Sequence, residues 1–271
     1  MKRYRHYKKD KAIILSCFGS IIEQKKYEEF QVKIQKEFSD CKVFLAFGSR
    51  MVLKDLNKDK TIYKNLVQTL ADVDMLGFRN IIVASINLFP TDEHEVLKDI
   101  VDGFNNFSLS NIRYTNAILT KTKDTTLFLK ELDDAISKKN RANLYIIHGT
   151  PKLDTNGIDS ISYTASFLEK INSLNYTCSL EGSYPFFAIK DALIKQMQKD
   201  GIKKVQVVPM LLVSGNHYIK DMVEISDELS EYFDSKIVKS ITKDKKFNLL
   251  GIPTVQNIIV NNIKEEIIKL G

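Results

Sequence analysis

Three residues of the chain have the types and positions needed to handle a metal ion. His148 stands in Ile-Ile-His-Gly-Thr, Glu181 in Leu-Glu-Gly-Ser and His217 in Ser-Gly-Asn-His. Each follows a short apolar run of the kind that forms a buried strand. In open parallel sheets ligands gather beyond the carboxyl ends of the strands, so these side chains are expected at the rim where a ligand would sit. Imidazole and carboxylate together suit Co, Ni, Fe or Zn. Three protein ligands leave positions open for a reacting species, and neutral imidazole also accepts protons near neutral pH.

Each of these residues has an ordinary reading beside the chemical one. A histidine after a strand is often a hydrogen-bonded structural residue, and Glu-Gly turns are common. Scarcity favours chemistry: the chain has 4 histidines, and two of them end such runs. His6 lies in a basic arm and is expected to be inert. His94, in Pro-Thr-Asp-Glu-His, ends the run corresponding to that of His217, but it also reads as part of a helix start capped by Thr91 or Asp92. Phe18, Phe47, Phe186 and Phe187 are candidates for facing a flat ligand and equally for ordinary core packing.

The elements that must position these groups alternate. Apolar runs at 12–18, 42–47, 80–88 and 112–119 read as strands, separated by helical periodicity at 23–38, 61–76, 93–104 and 125–139. The pattern then restarts, with strands at 143–147, 176–180, 204–213 and 236–241 and helices at 160–174, 187–199, 221–233 and 254–270. Such alternation predicts an α/β fold of parallel sheets flanked by helices. Ser16–Ser20 lines up with Ile146–Thr150, Ala46–Met51 with Leu180–Pro185, and Gly77–His94 with Gly201–His217. Three blocks in one order predict two similar lobes, placed at 1–141 (with 1–11 as a basic arm) and 142–271. In this alignment the first lobe presents Phe18 and Phe47 where the second presents His148 and Glu181.

Composition narrows the field. With 44% hydrophobic and 27% charged residues, the chain is expected to fold with a real core. No run approaches the roughly 18–20 apolar residues of a membrane span. The apolar stretch before Cys17 covers only Ala12–Leu15, too short for a signal core of roughly 7–15 residues. Cys17, Cys41 and Cys178 are odd in number and read as reduced, buried thiols, which together predicts a soluble cytoplasmic protein. A net charge of +6 is compatible with an anionic ligand or with a simple lysine-rich bias. Nucleic acid is disfavoured, because no basic stripe is interleaved with aromatics. Nucleotide-binding glycine patterns and a Gly-x-Ser-x-Gly elbow are absent.

The combination of ILSCFGS near the start, AFGSRMV at 46–52, HGTP at 148–151, LEGSYP at 180–185 and VPMLLVSGNHYIKDM at 208–222 resembles the class II chelatases, and most closely the anaerobic sirohydrochlorin cobaltochelatases. The resemblance runs from Lys11 to Leu270 in the correct order. It implies a chelatase-like fold with a tetrapyrrole held in a cleft between two lobes, the last helix packing back on the first lobe. It also implies His148 and His217 as catalytic, metal-binding histidines, Glu181 as the third metal-site residue, and Arg50 and Glu93 as cleft-lining residues. Lys152 replaces the family's second histidine in HGTPH, adding a cation that either meets a substrate carboxylate or is simply solvated. Asn216 replaces the usual aspartate before His217, removing a carboxylate that would steer that ring. The implied activity is insertion of Co2+ into sirohydrochlorin, with no organic cofactor and no ATP. Ni2+ or Fe2+ insertion and a non-catalytic tetrapyrrole or metal carrier are the alternatives. A homo-oligomer is compatible with all of these.

Overall fold

The computed structural model describes residues 5–58, 62–215 and 220–270. Contacts divide the chain into two units, Met1–Ile118 with Gln256–Gly271, and Leu119–Val255.

In the first unit the strands β1 (Lys9–Cys17), β2 (Cys41–Phe47), β3 (Phe78–Ile86) and β4 (Asn111–Tyr114) form a parallel sheet in the order β2-β1-β3-β4. Both faces of β1 are buried: Ala12 and Ile14 join one core cluster with Ile81 and Val83, while Ile13 and Leu15 are equally inaccessible. This is why the strands read as unbroken apolar runs rather than as alternating ones. Helices α1 (Lys25–Glu37), α2 (Arg50–Leu56), α3 (Leu66–Met75) and α4 (Asp92–Asn105) connect them. On α4, His94, Leu97, Val101 and Phe104 recur at helical spacing and form the buried face.

Helix α3 starts later than its periodicity suggests. Asn65 caps it, its side chain accepting the Gln68 N–H while the Gln68 side chain accepts the Asn65 N–H. Strand β4 stops at Tyr114, and the remainder of its apolar run turns into a short 3-10 segment at Ile118–Thr120. The basic run near the start is docked from His6 onward: Tyr7 Oη donates to Asp74 Oδ1 (3.0 Å) and Arg79 Nε donates to the Tyr7 carbonyl (2.8 Å).

The second unit repeats the arrangement. Strands β5 (Ala142–Ile147), β6 (Asn175–Ser179), β7 (Lys204–Met210) and β8 (Asp234–Ile237) form a parallel sheet in the order β6-β5-β7-β8. Helices α5 (Thr122–Ile136), α6 (Ile158–Ile171), α7 (Phe186–Lys199) and α8 (Asp221–Ser230) belong with it.

A buried polar network explains why α5 belongs to this unit. Asp133 on α5 accepts hydrogen bonds from Tyr145 Oη (2.7 Å), Asn175 Nδ2 (2.9 Å), Ser137 Oγ (2.9 Å) and Asn143 Nδ2 (3.2 Å). A buried carboxylate is tolerable only with its acceptor sites filled in this way. The closing helix α9 (Pro253–Ile268) has its body in the first unit, where Arg113 Nε donates to Glu266 Oε2 (2.7 Å) and Lys264 Nζ to Glu37 Oε1 (2.6 Å).

Candidate functional site

In the second unit the central strand β5 delivers His148 immediately past its last residue, and its neighbour β6 delivers Glu181 two residues past its own. Because Ile147 and Ser179 are paired in the ladder, the two loops leave the sheet side by side. They stay together through backbone bonds: the Leu180 N–H donates to the Ile147 carbonyl (2.9 Å) and the Glu181 N–H to the His148 carbonyl (3.1 Å). The result is His148 Nδ1 3.6 Å from Glu181 Oε1, with both side chains open to solvent.

Two glycines make this approach possible. Gly149 (φ +82°) and Gly182 (φ +75°) lie in the left-handed region. A Cβ on Gly149 would sit 1.8 Å from the Glu181 carbonyl oxygen, and one on Gly182 would sit 1.7 Å from that of Thr150. Each loop occupies the space the other's missing side chain leaves. Thr150, buried, adds a hydroxyl contact to Thr155 (3.2 Å) that ties the loop to itself.

A histidine and a carboxylate presented together in this way can hold a divalent ion while leaving much of its coordination sphere open. Of the three metal-site candidates, the structure brings His148 and Glu181 together. His217, with Asn216, lies outside the described residues. Among the described residues no group of three His, Cys, Asp or Glu is placed to hold an ion. Lys152 is exposed on the loop that follows His148. Arg50 and Glu93 belong to the first unit, both exposed: Arg50 opens α2, and Glu93 lies in the first turn of α4, its Oε2 accepting from Thr91 Oγ1 at 3.3 Å.

Most of the other candidates resolve as packing, Phe187 excepted. His94 is buried, its Nδ1 2.8 Å from Ser85 Oγ and its ring edge-on to Tyr114. Burial pushes its pKa below the usual histidine value. Thr91 is the cap residue of α4, but through its carbonyl, which accepts the His94 N–H (2.8 Å). Phe186 is buried and Phe187 exposed. All three cysteines are buried free thiols.

Phe47 is not a rim residue. It is fully buried, packed edge-on against Tyr27 and Tyr63, and paired with Cys17 in the ladder. Its counterpart by register is Ser179, not Glu181. The equivalent of Glu181 is Ser49, whose N–H donates to the Phe18 carbonyl (3.2 Å) as that of Glu181 does to His148. Aligning Gly48 with Gly182 in sequence slips the comparison by two residues, since Gly48 does not share the left-handed conformation of Gly182. Phe18 does correspond to His148, and it is exposed. Each unit therefore has an equivalent pair of positions past its strand ends, occupied by Phe18 and Ser49 in the first and by His148 and Glu181 in the second.

Solved structures share this fold. SirB from Bacillus subtilis, solved with Fe3+, superposes with a TM-score of 0.67 at 17% identity, covering 94% of this chain and 95% of that one. The sirohydrochlorin chelatase SirB from Bacillus subtilis subspecies spizizenii, in complex with cobalt, gives 0.64 at 14% identity, covering 94% of each chain. Both likenesses show the fold, an α/β architecture with parallel sheets flanked by helices. Residues 11–268 match the family described as cobalt chelatase (CbiK), and the chain belongs to that family. It is a metal chelatase. Among the described residues no helix is long and apolar enough to cross a membrane.

Proposed function

We propose that this chelatase inserts Co2+ into sirohydrochlorin in the cytoplasm, with His148, Glu181 and His217 as the ion's protein ligands. The observation that carries the reading is the His148–Glu181 pair, 3.6 Å apart at the rim of the second sheet. Insertion replaces two pyrrole protons with one divalent ion, so the site must capture a metal, release it and accept protons. Neutral imidazole performs both metal binding and proton acceptance. The Glu181 carboxylate offsets part of the ion's charge, and a sparse ligand set lets the ion leave for the macrocycle. The ion is a substrate, and no organic cofactor enters the reaction. Arg50, Glu93 and Lys152 are assigned to substrate contact, with the Lys152 ammonium suited to a peripheral carboxylate.

Support for cobalt comes from the family's description and from the relative in complex with cobalt. The relative solved with Fe3+ keeps iron as the second reading, because imidazole and carboxylate do not discriminate between these ions.

Purified protein mixed with sirohydrochlorin and Co2+, Fe2+ or Ni2+ in turn, followed by absorption, tests the assignment. Multiple turnovers fastest with Co2+ are expected. His148→Ala and His217→Ala should abolish turnover with folding retained, and Glu181→Gln should weaken metal uptake more than macrocycle binding. Near-normal rates in either histidine variant would refute that residue's role.

A further inference from the structure

Two large aromatic side chains stand almost unburied beside the Glu181 turn. Tyr184 is 74% exposed and Phe187 is 79% exposed, whereas the intervening Phe186 is packed into the core. Their exposure is built in by the backbone. Tyr184 has φ +57°, a left-handed conformation disfavoured for a bulky side chain. The surrounding bonds hold it there: the Ser179 N–H donates to the Tyr184 carbonyl (3.1 Å) and Ser179 Oγ to the Ser183 carbonyl (2.6 Å). Pro185 then caps α7, its carbonyl accepting the Ala188 N–H (2.9 Å). The same strand end, Ser179, thus fixes both the Glu181 turn and the Tyr184 backbone. Residues locked in sparsely populated conformations cluster at ligand-binding sites, and unburied aromatic surface marks places where something flat and apolar docks.

We propose that Tyr184, with Phe187, is the stacking platform by which the second unit positions the tetrapyrrole ring over the metal-bearing rim. This rests on the function proposed above and adds positioning residues to it. A flat macrocycle is the occupant that fits, because the platform is continuous in sequence with Glu181, three residues before Tyr184, and offers aromatic faces rather than charges. The ring, not the hydroxyl, carries the contact, so Tyr184→Phe should behave as wild type. Tyr184→Asn keeps a residue that tolerates the left-handed region while removing the ring.

The test is binding of sirohydrochlorin without metal, read by quenching of its fluorescence, together with steady-state insertion kinetics. Tyr184→Asn and Phe187→Ser should each weaken sirohydrochlorin binding and raise its KM by about tenfold. The KM for Co2+ and the melting temperature should not move. Variants that bind sirohydrochlorin within twofold of wild type, or that raise the KM for Co2+ equally, overturn the platform and leave the proposed function standing. A wild-type protein that binds neither sirohydrochlorin nor uroporphyrin overturns both.

Discussion

Replacing Gly149 by alanine is the sharpest test of how the rim is built. The added Cβ would lie 1.8 Å from the Glu181 carbonyl oxygen, and the atom it meets is backbone, which cannot swing away. An ordinary carbon–oxygen contact is about 3.4 Å, so the loops must part by roughly 1.5 Å. That opening takes the Glu181 N–H, now 3.1 Å from the His148 carbonyl, out of bonding range. The left-handed backbone adds about 1–2 kcal/mol of strain, and the lost bond about 1 kcal/mol. A total loss of about 2–3 kcal/mol in stability is expected. Displacing a ligand by an ångström is of the order that costs about 100-fold in rate. Gly201→Ala is the control, because Gly201 shares the conformation (φ +74°) but its Cβ would meet nothing within 4 Å. It should lose about 1–2 kcal/mol of stability and no activity. Thermal melts and the absorption-monitored insertion rate read both quantities on both variants. A Gly149→Ala enzyme with near wild-type turnover, or a Gly201→Ala enzyme equally crippled, would show that interlocking of the two loops does not hold the donors together.

Two further predictions concern buried groups away from the rim. The folded-state pKa of His94 is depressed by burial, so the unfolded chain binds this proton more readily. Its contribution is therefore fully present above the unfolded value of about 6.5 and is lost as the pH falls from there through the lower folded pKa. His94→Gln should flatten the fall in denaturant midpoint below about pH 6.5, and an unchanged slope would assign it to other groups. Tyr145→Phe removes one of the donors on buried Asp133. A loss of about 2 kcal/mol is expected, or roughly 4–8 °C in Tm; a variant melting with wild type would mean that the remaining donors suffice.

Much of the fold is written in the sequence because parallel strands buried on both faces need unbroken apolar runs, and those runs are visible. The capping box at Asn65 and Gln68 was also there to be read, and it places the start of α3 better than periodicity does. Helix α2, at 7 residues, is too short to show a period; its signal is Ser49, whose Oγ accepts the Val52 N–H at 3.3 Å. The closeness of the candidate pair was legible where chemistry is rare, as with His148, and Glu181 lies beside it because its strand neighbours that of His148. Phe47 misled because a Gly-Ser pair follows both it and Glu181, and identical letters hide a two-residue difference in register. Tyr184 stands in the LEGSYP block that carries the resemblance, but nothing in sequence marks a tyrosine held in a left-handed turn.

The division of the chain has a practical consequence. Because the polypeptide leaves the first unit after Ile118 and re-enters it at Gln256, the first unit is built from two separate stretches of sequence and the second from one. Cutting once cannot release either as a self-sufficient piece: a fragment ending at Ile118 would lack Glu266, the partner of Arg113, along with the rest of the terminal helix. Expressing the first half by itself would instead require splicing residues 256–271 onto it through an artificial linker, whereas 119–255 can be excised intact.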